Sequence, residues 1–352
     1  MTDSLTIAGQ EIPLGTTAII DVPLPDLFIH TSLSMPVQVM RGKREGPTIF
    51  VSAAVHGDEI NGVEIIRRLV KSKALTRIKG TLITIPVVNV YGFLNQSRYL
   101  ADRRDLNRNF PGSVKGSLAG RLAKLFMTEV AELCTHGIDL HTAAIHRDNL
   151  PQIRADLTSP ITEQMALAFN VPVVVNSGLI EGSLRYACSA KNVPVIVYEA
   201  GEALRFDEFS IRAGVEGIIS VMRSIGMLTP SKRKIKKNKP EPYIARSTLW
   251  VRAPESGIFR MSVSMGAHIF EGDLLGTVAT PYGANGEETQ VISPISGIII
   301  GRTNLPLVSE GEALFHIARF SRPEDVVDNL EAFQLDLDPA TDEAPPEDLP
   351  II

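Results

Sequence analysis

The stretch TIFVSAAVHGDEINGVEIIRRLVKSKAL, residues 48–75, holds the change of texture that decides the fold. Residues 48–57 are near-continuously apolar rather than alternating, the pattern of a strand buried on both faces. The following residues place Ile60, Val63, Ile65, Ile66, Leu69 and Val70 at roughly helical spacing, which predicts an amphipathic helix. The same alternation continues along the chain. GTLITIPVVN (80–89), GIDLHT (137–142), VPVVVNSG (171–178) and VPVIVYEAG (193–201) read as further strands. A helix is expected from Leu118 to Cys134, and FDEFSIRAGVEGIISVMRSIG (206–226) reads as another. Strands alternating with helices predict an α/β sheet with covered faces.

Outward from this unit the texture changes. SKRKIKKNKPEP, residues 231–242, carries six basic residues and two prolines without apolar periodicity, as a solvated linker does. Beyond it come short strands with glycine-rich turns and an internal echo. APESGIF (253–259) matches SPISGII (293–299), and EGDLLGTV (271–278) matches EGEALFHI (310–317), which predicts a small all-β unit built from a duplicated half. From Ser321 onward there are ten acidic side chains and one arginine, so much of this tail is expected to be disordered, with a helix within 324–334.

The 352 residues suit two domains and a tail. Net charge is −5 and the pI is near 5.9, so no overall basic field attracts nucleic acid or anionic lipid. MTDSLTIAGQEIPLG has neither a basic nor an apolar leader region, which predicts no signal peptide, and no apolar run approaches the ~20 residues needed to span a bilayer. The only cysteines are Cys134 and Cys188, neither in a CxxC pair, which excludes a disulfide framework or cysteine-rich metal site and predicts a cytoplasmic protein.

Four short motifs carry chemistry. His56-Gly57-Asp58-Glu59 falls where a strand gives way to a helix, and His56 and Glu59, three apart, can face one point and offer two ligands to a cation such as zinc. Locally, a satisfied histidine beside a helix-capping acid is the commoner arrangement. Asp139-Leu140-His141-Thr142 and Tyr198-Glu199-Ala200-Gly201 put a histidine and a carboxylate at the ends of apolar strands. An acid there is costly to leave unpaired. Of the seven histidines, only His56 and His141 end apolar strands expected to be neighbours. In Asp105–Gly112, Arg108 can hold a carboxylate bidentately with Asn107 beside it, or can pair with Asp102 or Asp105. Two histidines and a glutamate as ligands, a separate glutamate and arginines are the equipment of metal-assisted amide hydrolysis.

The ordered set HGDE, NVYGF with SRYL and DLNRNFPG, then DLHT, then YEAG resembles the succinylglutamate desuccinylase/aspartoacylase family of the zinc carboxypeptidase clan, over roughly residues 40–225. The resemblance implies a zinc-exopeptidase-like mixed sheet flanked by helices. It implies one zinc ion per chain bound by His56, Glu59 and His141, with Glu199 as general base and acid. Arg98 would polarise the scissile carbonyl, Asn107 and Arg108 would hold a substrate carboxylate, and Asp105 would orient His56. The stretch between Arg98 and Asp105 departs from the family in adding Arg103 and Arg104, either of which competes for the role of Arg98. The β unit resembles the lipoyl/biotinyl-like barrel-sandwich domain appended in this family. No lysine follows Lys239, so it cannot carry lipoyl or biotinyl.

The expected organisation is a zinc-dependent catalytic domain over 1–230, a basic linker over 231–242, an unmodified β-sandwich over 243–319 and an acidic, partly disordered tail over 320–352. The expected reaction is hydrolysis of a small N-acyl amino acid, with a carboxypeptidase for short or glutamate-rich peptides as the alternative and non-catalytic metal binding as a third. No nucleic acid or membrane partner is expected, and a homo-oligomer is left open. Arg147, Arg154, Arg185 and Arg205 are further candidate anion contacts.

Overall fold

The structure, a computed structural model, describes residues 5–25, 32–230, 242–282, 288–320 and 323–337. His30, most of the basic linker and residues 338–352 lie outside the described residues. A hairpin of β1 (Leu5–Ile7) and β2 (Gln10–Ile12) precedes the main sheet. β3 (Thr17–Pro23), β4 (Ser34–Arg41), β5 (Thr48–Ala53), β6 (Thr81–Ile85), β7 (His136–Ala143), β8 (Arg147–Ala155), β9 (Val173–Asn176) and β10 (Val195–Glu202) build the α/β part of that sheet. The helices are α1 (Asn61–Leu69), α2 (Val90–Leu94), α3 (Leu118–Glu129), α4 (Pro160–Phe169), α5 (Leu184–Ser189) and α6 (Glu208–Ser224).

The centre runs β10-β7-β5-β6, all parallel, with β4 and β3 added antiparallel beyond β6 and β8 antiparallel beside β10. This is a large mixed sheet flanked by helices, as expected. Its parallel strands are apolar on both sides because both are covered. On one face Phe50, Ile83 and Ile85 pack with Leu122, Phe126 and Leu184 of α3 and α5. On the other, Val51, Ile138 and Tyr198 pack with residues of α1, α4 and α6.

Two elements differ from the sequence reading. The strand expected over 48–57 ends at Ala53, because Ala54 turns to a positive φ of 49° and carries the chain off the sheet, leaving His56 in a buried turn. The helix expected to reach Cys134 ends at Glu129 and is followed by a 3-10 turn, Ala131–Leu133.

β8 escapes the pattern because it contains Pro151, which cannot donate to a ladder. It is tolerated at a fork. Arg147, Asp148 and Asn149 pair with one neighbour, Gln152 to Ala155 pair with β9, and against β10 the register jumps from Asn149↔Gly201 to Gln152↔Glu199. Pro151 sits in the gap, and the bulge lies beside Glu199. Bulges often re-aim a side chain next to active sites.

After the linker, β11 (Tyr243–Ala245) adds to β9. β12 (Ser247–Arg252), β13 (Gly257–Met261), β14 (His268–Ile269), β15 (Leu274–Ala279), β16 (Thr289–Ile292), β17 (Gly297–Thr303), β18 (Leu307–Val308) and β19 (Ala313–Arg319) follow. The echoed motifs lead into β13 and β15 on one side and β17 and β19 on the other. β16-β15-β13-β18 form a four-stranded sheet, and Phe259, Leu275, Ile299 and Phe315 pack between it and β17-β19. The β part is not free-standing, however. β17 pairs with β8, so β12-β19-β17 continue the main sheet across Gly301↔Asn149, Arg302↔Asp148 and Thr303↔Arg147.

In the acidic segment the helix expected within 324–334 is present and somewhat longer. Pro323–Leu337 forms helix α7, because Val326, Leu330, Phe333 and Leu337 fall on one face. Val326 and Leu330 bury against Ile298 and Ile300, Leu337 joins the core under α6, and Phe333 meets Phe209 edge-on at 5.5 Å. None of the described helices is long and apolar enough to cross a membrane.

Candidate active site

The C-terminal ends of β5, β7 and β10 open on a cavity of about 310 Å³. His56, Glu59, Arg98, Asn107, Arg108, His141 and Glu199 all line it. Ends of parallel strands are where open α/β sheets place ligands.

His56 and Glu59 sit on the buried turn between β5 and α1, which Gly57 makes possible. A Cβ at Gly57 would lie 2.0 Å from the backbone of Gly92 in α2. His141 stands near the end of β7, next to β5. The three residues are buried, and one ligand atom from each lies within 4.8 Å of the others. Glu59 Oε1 is 2.7 Å from His56 Nδ1, and Glu59 Oε2 is 2.7 Å from His141 Nδ1. The opposite ring nitrogens are held from behind. His56 Nε2 lies 3.2 Å from Asp105 Oδ1, and His141 Nε2 lies 2.7 Å from Asp139 Oδ2. Asp139 is held in turn by Ser52 Oγ at 2.7 Å, its register partner across β5 and β7.

Both imidazoles therefore present Nδ1 to a common point and commit Nε2 to a carboxylate, the support that ligating histidines usually have. Two imidazoles and one carboxylate form a donor set that can hold a metal ion and suits zinc. Burial alone would raise Glu59, but the two histidines hold its carboxyl well below the usual range. Burial would lower His141 and His56, yet Asp139 and Glu59 hold the former, and Glu59 and Asp105 the latter, above the ordinary imidazole value.

Glu199 is the register neighbour of His141 across the parallel pair β10 and β7, so both side chains leave the same face. Its carboxylate is gripped at both oxygens. Asn149 Nδ2 donates to Oε2 at 2.8 Å, and Arg154 Nε lies 3.2 Å from Oε1 as an ion pair. That pair lacks hydrogen-bond geometry, so Arg154 Nε stays without a hydrogen-bond partner. Asn149 is itself wedged by the β part, since a Cβ added at its register partner Gly301 would meet Asn149 Oδ1 at 2.9 Å.

Asp105 caps the turn Leu106–Arg108 by accepting from Asn107 N at 2.8 Å, and its other oxygen accepts from Arg98 Nη2 at 3.0 Å. Arg98 Nη1 reaches Glu59 Oε1 at 3.3 Å, so this arginine stands at the metal-ligand group. Arg103 and Arg104 are exposed and absent from the lining. Asn107 Oδ1 accepts from Leu184 N at 2.9 Å, which leaves its NH₂ for the cavity. Arg108 donates to Asn107 O at 2.7 Å.

Of the further arginine candidates, Arg147, Arg154 and Arg185 line the cavity, and Arg205 is exposed outside it. The sequence reading missed Ser52, Asn149, Trp250 and Arg302. The last two come from β12 and β17. No local signal marks Asn149, Trp250 or Arg302, since each matters only through strand pairing. Ser52 and Asp139 were legible as polar residues inside apolar strands.

The family model of the succinylglutamate desuccinylase/aspartoacylase catalytic domain matches residues 45–225. A relative, the N-alpha-acetyl-L-2,4-diaminobutyric acid deacetylase of Halomonas elongata, is 20% identical over 300 residues, covering 82% of this chain and 86% of that protein. Among solved structures, the product-bound ectoine utilization protein EutE (DoeB) of Ruegeria pomeroyi superposes with a TM-score of 0.77 at 23% identity, covering 88% of this chain and 97% of that one. A succinylglutamate desuccinylase/aspartoacylase of Rhodobacter sphaeroides also gives 0.77, at 21% identity over 86% and 96% of the two chains. At these identities the structural likeness is one of fold.

Proposed function

This chain belongs to the succinylglutamate desuccinylase/aspartoacylase family, and on that footing we propose that it is a zinc-dependent amidohydrolase that cleaves the amide of a small N-acyl amino acid. The observation that carries the reading is the convergence, in one cavity of about 310 Å³, of His56, Glu59 and His141 with Glu199 on the strand beside His141. The first three would hold zinc, which would supply a Lewis acid and an acidified water there. Glu199, oriented by Asn149 and Arg154, takes the proton of the attacking water and delivers it to the leaving nitrogen. Arg98, oriented by Asp105, faces the charge that develops on the carbonyl oxygen. Asn107 and Arg108 hold a substrate carboxylate through donors the protein leaves unused.

In this reading residues 1–230 form the catalytic domain, and 243–319 supply a wall of its cavity. Trp250 and Arg302 in that wall, and a volume suited to a small molecule, favour acyl amino acids over peptides. The test is a panel of acetyl, succinyl and formyl derivatives of aspartate, glutamate, ornithine and diaminobutyrate, with short glutamyl peptides alongside. The zinc-loaded protein should release amine from at least one acyl amino acid, and Glu199→Gln should lower that rate roughly 100- to 10,000-fold with zinc still bound. Wild-type turnover in Glu199→Gln would sink the mechanism, and release from peptides alone would move the protein to the carboxypeptidase reading.

A further inference from the structure

Glu199 lies where the ladder between β10 and β7 is interrupted, since the register jumps between Glu199 and Glu202. A backbone that leaves its ladder needs other partners for its polar groups, and here the gap adjoins the general base. Asn61 fills that gap. It is the first residue of α1, two positions after Glu59, and is 1% exposed. Its Nδ2 donates at 3.1 Å to the carbonyl of Ala200, directly after Glu199, and its Oδ1 accepts from Asp207 N at 3.0 Å. The fit is tight. Gly201 has a φ of 75°, and a Cβ there would stand 2.6 Å from Asn61 Nδ2.

The residue before Glu199 is tied to the same side chain through its second partner. Asp207 caps α6 by accepting from Phe209 N at 3.0 Å and from Ser210 Oγ at 2.9 Å. The carbonyl of Ser210 in turn accepts from the hydroxyl of Tyr198 at 2.8 Å, and both residues are buried. A backbone bond runs in parallel, from Leu204 N to the carbonyl of Asp58 at 2.8 Å. The start of α1 is itself immobile, because a Cβ at Gly62 would meet those of Ala53 on β5 and Leu140 on β7 at 2.7 and 2.8 Å. Asn61, Asp207, Ser210 and Tyr198 are all absent from the cavity lining.

Resting on the role proposed for Glu199, we propose that Asn61 is a positioning residue for the general base. It anchors the backbone on both sides of Glu199 to the turn that carries His56 and Glu59, and so fixes where the carboxylate stands relative to the metal-ligand group. The position requires an amide, which offers a donor and an acceptor together. A carboxylate there cannot donate to Ala200, and an alanine leaves the Ala200 carbonyl and the Asp207 N–H without this partner. Asn61 touches neither substrate nor metal ligands, so its loss displaces the base while leaving both binding steps in place.

The test compares Asn61→Ala, Glu199→Gln and the double variant with wild type as zinc-loaded full chains. Steady-state kinetics is run beside zinc affinity from chelator competition. Asn61→Ala should lower kcat about 10- to 100-fold, with KM and zinc affinity within about threefold of wild type. Added to Glu199→Gln, it should change the residual kcat by less than about threefold, because its effect passes through that carboxylate. General damage to the fold would lower kcat alike in both backgrounds. Tyr198→Phe keeps the ring stacked on Phe169 at 4.9 Å and removes only the outer tie, so it reports even where Asn61→Ala does not fold. It should lower kcat about 3- to 10-fold at unchanged KM. Equal losses in the two backgrounds, zinc affinity weakened more than about tenfold in Asn61→Ala, or wild-type kcat in either single variant of Asn61 or Tyr198 overturns the proposal. Failure of the hydrolytic reading appears separately, as turnover indifferent to Glu199→Gln.

Discussion

At the residue scale, the site is built by giving each imidazole two acidic neighbours with different tasks. Glu59 faces Nδ1 of both rings, while Asp105 and Asp139 hold Nε2 and fix the rings' orientation. Asp139 is fully buried and satisfied by Ser52 and His141, so it can act only through His141. Asp139→Asn should weaken zinc binding about 10- to 100-fold, read by competition with a chromogenic chelator. Affinity equal to wild type would show that His141 does not need its carboxylate. Much of this was legible in the chain, because DLHT shows Asp139 two residues before His141 and a strand's period of two puts both on one face. Arg98 was less legible. Arg103 and Arg104 are equivalent to it by type, and only the folding back of the 98–105 loop onto Asp105 separates them.

At the scale of elements, the site sits where local rules are broken. α1 has Ile60 at its N-cap and no side-chain cap, and the acid in reach, Glu59, is turned toward the histidines instead. β8 carries Pro151 in the interior of a sheet, and the irregularity aligns Asn149 with Gly301 on one side and Gly201 on the other. These departures explain why β8 was invisible to pattern reading. Gly301→Ala should press on Asn149 Oδ1, displace the group that donates to Glu199 and lower kcat about 10- to 100-fold with little change in fold, measured by steady-state kinetics beside a melting curve. Unchanged kcat would mean that Asn149 does not set the position of the base. The α7 helix shows the opposite case. Acidic composition predicted little packing beyond a helix within 324–334, and four apolar residues on one face are enough to seat that helix.

Across the whole molecule, the main sheet continues from the α/β part into the β part, so burial in one depends on charges in the other. His316 on β19 is pushed down to about 3 by burial and by the charge of Arg154 on β8, with Trp250 stacked on its ring. Between the ordinary value of 6.5 and about 3, the unfolded chain binds a proton here that the folded chain refuses, so stability falls as pH drops through that window. His316→Phe keeps the stack and removes the proton, so urea unfolding between pH 6.5 and 4 should show a shallower loss of stability than wild type. Identical slopes would contradict the assignment.

The chemistry itself was written in the sequence. HGDE, DLHT and YEAG each end or follow an apolar strand, and the burial of such strands is a local property that period and composition reveal. Only the tertiary structure decided what surrounds those groups. Asn149 and Arg302 reach the cavity through the pairing of β8 with β17, about 150 residues apart in the chain, and Trp250 through the pairing of β12 with β19, more than 60 residues on. Register between distant strands is set by the summed packing of the whole sheet, which no short stretch of residues encodes.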